Sequence, residues 1–248
     1  MSNSELYDHP ALYDALFPVR ADLRWYLDLA RAAAGDVLEL ACGTGQFTVP
    51  IARAGVPIAG LDLSPAMLQA ARERAATANI SVEFLQGDMR NFEMGRQFKL
   101  IFIAHNSLLH LHTAEEIVAA FATVRRHLAP GGVFAFDIFN PSVRRLARPP
   151  GQRFRLMQVE TQMFGSLSVE EIAEYDAAAQ VTHARLYISA PGKPDAWVVP
   201  LDLRNIFPQE LPLLLAAGGL ELKSRAGDLF EPAFHSESRS QVCLCQAP

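Results

Sequence analysis

The chain reads as an α/β protein, with a mostly parallel sheet covered by helices and an antiparallel, strand-rich piece set in late. Three observations predict this. Short apolar runs alternate with helical stretches as far as residue 140. The first run, Val37 to Leu40, leads straight into a glycine turn, Ala41-Cys42-Gly43-Thr44-Gly45. After Asn140 the period changes to strict apolar–polar alternation, as in strands with one wet face.

Taken in order, Tyr7, Tyr13 and Phe17 stand among acids and prolines, and Leu23 to Ala34 forms a helix ending at Gly35. Val37 to Leu40 is the first strand. Glycine at 43 and 45 permits a sharp turn and lets a ligand lie against the main chain. The helix that follows offers unpaired N–H groups to an anionic ligand group, and Pro50 predicts that it is short or bent. Val56 to Leu63 is the second apolar run and ends in Asp62. Ser64 caps the next helix, with Pro65 at its first position. Val82 to Leu85 and Leu100 to Ala104 are strands three and four. Thr113-Ala114-Glu115-Glu116 is a capping box opening a helix that ends before Pro130-Gly131-Gly132. Val133 to Ile138 is strand five. Right-handed crossovers bring the ends of all these strands to one edge of the sheet, where such sheets bind ligands.

Four alternating runs follow: Phe154 to Glu160, Leu167 to Tyr175, Thr182 to Ser189 and Trp197 to Arg204. Pro191 to Asp195 is a turn between two of them. Pro208-Gln209-Glu210 opens a last helix, and Leu220 to Arg225 and Gln241 to Cys245 form a closing pair of strands. Five arginines, Arg144, Arg145, Arg148, Arg153 and Arg155, crowd the start of the strand-rich piece. They could hold an anionic group, but pairing with Glu170, Glu171 and Glu174 is the plainer use.

Composition bounds the function. The 248 residues carry a net charge of -5, which disfavours a broad grip on nucleic acid. No apolar run reaches the roughly 20 residues of a membrane span. The first five residues lack the basic and apolar regions of a signal peptide. Cys42, Cys243 and Cys245 make neither a disulfide framework nor a zinc set, so no metal is expected and a reducing cytoplasm is.

The strand–glycine turn–helix unit alone leaves a dinucleotide site open, although Thr48 stands where that pattern needs a small residue. Three acids at successive strand ends narrow the choice. Glu39 with Gly43-x-Gly45, then Asp62, 17 residues after Gly45, then Asp88, together resemble the class I S-adenosylmethionine (SAM)-dependent methyltransferases over roughly residues 36 to 140. The resemblance implies a Rossmann-like, seven-stranded sheet whose last strand runs antiparallel. It implies methyl transfer from SAM to nitrogen or oxygen of a small-molecule acceptor by in-line displacement. It assigns the cofactor's ammonium to Glu39 and to carbonyls near Ala41 and Gly43, with Gly45 in the same turn. Asp62 takes the ribose hydroxyls, Asp88 and Met89 the adenine edge, and Leu63 and Met67 its face. Tyr13 is the candidate lid, and Asn106 and Ser107 are candidates for the cofactor tail or the substrate.

The chemistry needs alignment above all, and a base only where the nucleophile arrives protonated. His105 and His110, which follow strand four, are the candidate bases; His112 reads as a helix-start residue and His235 as a weaker base. Asp137 and Asn140 could orient the acceptor. The chain has His105-Asn106-Ser107-Leu108 where base- and amide-modifying relatives carry an N-P-P-Y motif, which disfavours nucleic acid as substrate. An NAD-dependent oxidoreductase and a non-catalytic SAM-binding module are the alternatives.

Four segments follow: a helical lid over residues 1–34, a SAM-binding core over 35–140, a β insertion on the acceptor side over 141–206, and a final helix with closing hairpin over 207–248. The insertion's apolar face must be covered by the core, by a second copy of the chain in a homodimer, or by substrate. Replacing residues 145 to 204 by a short Gly/Ser linker should leave a protein that still binds SAM but no longer transfers the methyl group to its native acceptor.

Overall fold

The computed structural model describes residues 6–18, 22–230 and 233–248; the first five residues, read above for a leader, lie outside them. A 3-10 turn at Leu6–Asp8 precedes α1 (Pro10–Leu16) and α2 (Asp22–Ala33). The first half of the core is β1 (Val37–Leu40), α3 (Thr48–Arg53), β2 (Ile58–Asp62), α4 (Pro65–Thr77) and β3 (Glu83–Gln86). The second is β4 (Phe98–Ile103), a 3-10 turn at Ser107–His110, α5 (Ala114–His127), β5 (Leu128–Phe139) and the short α6 (Val143–Leu146). Four long strands follow, β6 (Phe154–Thr161), β7 (Gly165–Asp176), β8 (Val181–Ala190) and β9 (Lys193–Arg204). The chain closes with α7 (Leu211–Ala217), β10 (Glu221–Ala226) and β11 (Ser240–Gln246).

The seven-stranded sheet has the order β10-β11-β5-β4-β1-β2-β3. Strands β1 to β5 run parallel, and β11 lies antiparallel to both β5 and β10. This is the expected sheet with a reversed last strand. The strand order turns about between β1 and β4, so the crevice beyond their carboxyl ends is the ligand site such sheets provide.

Local chemistry accounts for the elements. β1, and β4 except at Lys99, are buried on both faces because helices cover both sides of the sheet. Ser64 caps α4 by accepting from the Met67 N–H, and Thr113 and Glu116 form the capping box of α5. α3 spans six residues with Pro50 third, where a missing N–H breaks no intrahelical bond. β5 begins five residues before its expected start, because α5 passes directly into it at Leu128.

The insertion is a separate antiparallel sheet, β6-β7-β8-β9, and its cover is the main departure from the sequence expectation. Leu167, Val169, Leu186, Ile188 and Val199 on its inner face pack with Leu6, Leu12 and Leu16 of the N-terminal segment. The N-terminal segment and the insertion therefore share one buried cluster. Removing residues 145–204 would strip the N-terminal segment of this apolar partner.

Candidate active site

The crevice between β1 and β4 is floored by the turn after β1. Ala41, Gly43 and Gly45 all take positive φ there (55°, 53° and 74°). The two glycines serve different ends. A Cβ on Gly43 would meet no atom within 4 Å, so this face of the turn is open to a ligand. A Cβ on Gly45 would come within 3.2 Å of the Ala71 Cβ and 3.3 Å of a Val49 methyl. Gly45 lets α4 approach the turn, and its open-face role in the sequence expectation passes to Gly43 alone.

Asp62, at the end of β2, is 9 % exposed. Its two carboxylate oxygens accept from the Gly43 N–H at 2.7 Å and the Ser64 N–H at 2.8 Å. Each oxygen keeps acceptor capacity beyond those bonds. Burial nonetheless holds its carboxyl above the usual range. Glu39 is 2 % exposed and accepts from the Thr48 hydroxyl. Burial pushes it up to about 8, Asp62 adding to the shift and the Thr48 hydrogen bond opposing it. A cationic partner arriving beside this buried carboxyl would favour its charged form.

The adenine-side candidates separate on burial. Leu63 is 63 % exposed, whereas Met67 is 1 % exposed and packed inward from α4. Leu63 thus offers apolar surface and Met67 does not. Asp88 is gripped by Arg90 through both carboxylate oxygens, and Arg90 reaches on to Glu116. The Arg90 bond, first among the causes, holds the Asp88 carboxyl below its ordinary value. Met89 lies partly buried against the main core.

The N-terminal segment closes over the turn. Asp14 accepts from the Thr44 hydroxyl at 2.5 Å and the Gln46 amide at 2.9 Å, and forms an ion pair with Arg74 of α4. Tyr13 lines a narrow cavity with Glu39, Ala41, Gly43, Phe47, Ala104, His105 and Ser107. Burial, and then Asp14, raise the Tyr13 phenol.

The two candidate bases occupy different surroundings. The His105 Nε2 lies 3.0 Å from an Asp22 oxygen, and its ring stands edge-on to Phe47 in the cavity wall. His110 shares a 2.6 Å hydrogen bond with the Tyr7 hydroxyl, outside that wall. Burial, with His112 adding, lowers His110 to about 4 and keeps it neutral. His112 bonds the Asp202 carbonyl and Glu116, as a helix-start residue does. Asn106 follows His105 in the same left-handed conformation.

Asp137 lies beneath the His105–Asn106 turn, and Asn140 bonds the Ser238 carbonyl. Arg145 and Arg148 pair with Glu171, and Arg153 with Glu170 and Asp195. The arginine cluster is mainly internally neutralised; Asp195 takes the place expected for Glu174. Sequence reasoning placed Asp14 in the Tyr13-Asp14-x-x-Phe17 segment resembling one that folds over SAM, and passed over Asp22, Tyr26, Thr44, Phe47 and Thr48 as site-building residues. Apart from Thr48, which meets Glu39 nine residues away, their partners lie far along the chain, and no short motif marks them. Among the described residues, no cluster of three or more His, Cys, Asp or Glu could hold a metal, and no helix is long and apolar enough to cross a membrane.

Known proteins resemble this arrangement. Residues 37–132 match the methyltransferase domain family. The dTDP-3-amino-3,4,6-trideoxy-alpha-D-glucopyranose N,N-dimethyltransferase of Streptomyces venezuelae is 37 % identical over 138 residues, 52 % of this chain and 56 % of that protein. The putative methyltransferase YqeM of Bacillus subtilis is 32 % identical over 131 residues, 52 % of this chain and 53 % of its own. The chain thus spans about half the length of the curated relatives it matches. Among solved structures, the CcbJ methyltransferase from Streptomyces caelestis superposes with a TM-score of 0.83 at 29 % identity, covering 98 % of both chains. SAM-bound CalS10 from Micromonospora echinaspora, at 22 % identity and a TM-score of 0.73 over 100 % of both chains, shares the fold.

Proposed function

We propose that this chain, whose residues 37–132 match a methyltransferase domain family, moves a methyl group from SAM to an amine nitrogen of a small molecule. The observation that carries this reading is the pairing of Asp62, held by the Gly43 and Ser64 N–H groups, with the open face of Gly43 beside it. The residues present fit the cofactor. Asp62 has acceptor capacity for two ribose hydroxyls, Glu39 is a buried carboxyl suited to an ammonium, and Gly43 leaves room at the main chain. Leu63 supplies apolar surface for a base, and Asp88 and Met89 border that end of the site.

When bound, SAM supplies a methyl carbon already activated by its sulfonium. The chain's own residues align the acceptor and exclude water. Tyr13 and the N-terminal helix, latched by Asp14, close the turn from above. His105, directed by Asp22, is the residue placed to take a proton from an acceptor that arrives as an ammonium. Asp62, and Asp22 beside His105, give the crevice a negative field that favours a cationic group at the reacting atom. Nitrogen is chosen over oxygen on this field and on the N,N-dimethylation named for the S. venezuelae relative.

The test is incubation of the full chain with isotope-labelled SAM and a panel of small amines, including nucleotide-linked amino sugars and free aminoglycosides, read by mass spectrometry. Label on an amine nitrogen is the expected result. SAM binding without transfer to any amine, hydroxyl or thiol would favour the non-catalytic module.

A further inference from the structure

Two consecutive residues with side chains, His105 (φ 54°) and Asn106 (φ 63°), adopt the left-handed conformation just past the end of β4. Such a pair persists only where its surroundings over-determine it. Here Asp137 does so twice. Its Oδ1 accepts from the His105 N–H at 3.0 Å, and its main-chain carbonyl accepts from the Asn106 N–H at 3.2 Å. The parallel ladder between β4 and β5 ends at the Ile103–Phe136 pair, so Asp137 stands level with the point where the chain leaves the sheet. Asp137 is itself pinned. The Tyr26 hydroxyl, on a fully buried side chain of α2, donates to the same Oδ1 and lies 3.4 Å from the Ile103 carbonyl. Tyr26 is wedged edge-on between Trp25 and Phe47, with Phe102 against its face.

We propose that Asp137, locked by Tyr26, is the positioning residue of this site, a peg that holds the His105–Asn106 backbone so that His105 faces the crevice beside Ala41 and Gly43. This rests on the methyltransferase reading for the purpose of the turn, but not for the peg itself. The sequence suggested that Asp137 could orient the acceptor; its Oδ1 accepts from the peptide N–H of His105. One oxygen and one carbonyl replace the sheet partners that the chain gives up as it turns, as buried main-chain donors require.

The test uses the full chain and three variants, Asp137→Ala, Asp137→Asn and Tyr26→Phe, read by amide hydrogen exchange and by calorimetric titration with SAM. Asparagine keeps an oxygen that accepts from the His105 N–H, and phenylalanine keeps the packing of Tyr26. Asp137→Ala should raise exchange at His105 by tenfold or more and weaken SAM binding about tenfold. Asp137→Asn should restore both to within about threefold of wild type. Tyr26→Phe should give an intermediate result, and it carries the test if the alanine variant does not fold. Unchanged protection of His105 in both Asp137→Ala and Tyr26→Phe overturns the peg. Lost protection with unchanged SAM affinity overturns its role in the site. A wild-type chain that binds no SAM refutes the cofactor reading while the exchange comparison still judges the peg.

Discussion

Asp14 on the N-terminal helix accepts a hydrogen bond of 2.5 Å from Thr44 in the glycine turn, 30 residues away, and so ties the lid to the floor of the site. The same carboxylate takes the Gln46 amide and pairs with Arg74, which donates in turn to the Thr44 carbonyl. Replacing Asp14 with alanine removes three bonds of this latch without opening the core. Hydrogen bonds involving a charged group contribute about 1.5–3 kcal/mol each, part of it lost to solvent exposure here. Asp14→Ala should therefore weaken SAM binding by about tenfold while the melting temperature of the ligand-free protein stays close to wild type. Calorimetry showing wild-type affinity would mean that the lid is held by its apolar contacts alone.

Asp62→Ala should cost at least tenfold in SAM affinity, because a charge-assisted bond to a ribose hydroxyl is worth at least about 1.5 kcal/mol. The main-chain donors at Gly43 and Ser64 also lose their acceptor, so Asp62→Asn is the milder companion variant. Titration calorimetry on both checks this, and equal affinities for Asp62→Ala and wild type would remove the ribose assignment.

Glu39 predicts a proton coupled to binding. Burial raises its folded-state pKa to about 8, so at pH 7 it is mostly protonated in the free protein. An ammonium arriving beside it favours the carboxylate and expels the proton. Affinity should then rise as pH increases from 6 toward 8, up to the region near 7.7–8.0 where an α-amino group itself deprotonates. The stability linkage runs the other way. The unfolded chain ionises this group near 4.5 and the folded chain near 8, so Glu39 makes the free protein less stable as pH climbs through that window. Calorimetry at pH 7 in two buffers of different ionisation enthalpy should show proton release in wild type and none from this site in Glu39→Gln.

His105 and His110 should now behave differently. His105→Ala should lower kcat by roughly 10²–10⁴ with little change in SAM affinity, the loss expected of a general base. His110, buried and at about 4, is neutral across the working range and cannot supply a titration there. His110→Ala should leave the shape of the kcat–pH profile between pH 5.5 and 8 as in wild type. Near-normal kcat in His105→Ala from pH 6 to 9 would mean that alignment alone does the work.

Excising residues 145–204 tests the shared cluster of lid and insertion. Leu6, Leu12 and Leu16 would lose Leu167, Val169, Leu186, Ile188 and Val199 as partners. Each buried aliphatic side chain contributes about 1.5–3 kcal/mol on burial, more than a short lid can spare. The excised chain should bind SAM at least tenfold more weakly than wild type. Wild-type affinity by calorimetry would show that the lid seats without the insertion.

The sequence alone determined the sheet, the turn and the acids at the strand ends. Period-two and period-3.6 apolar patterns, with Gly43, Gly45 and the Ser64 cap, are local signals that survive in a linear reading, as is the change of period after Asn140. With the family resemblance, they led to a mostly parallel sheet with a reversed last strand and to Glu39, Asp62 and Asp88 at one edge of it. Tertiary structure alone decided what those residues meet. Met67 faces inward and Leu63 outward, Asp88 is held by Arg90, and Gly45 serves helix packing. Asp14 reaches Thr44, Asp22 reaches His105 and Tyr26 reaches Asp137 across 30, 83 and 111 residues. Contacts of that span are chosen by the packing of whole elements, which bring together residues whose chain neighbours carry no trace of the meeting. The shared core of lid and insertion arises in the same way: each presents half an apolar surface, and only the fold shows that each covers the other.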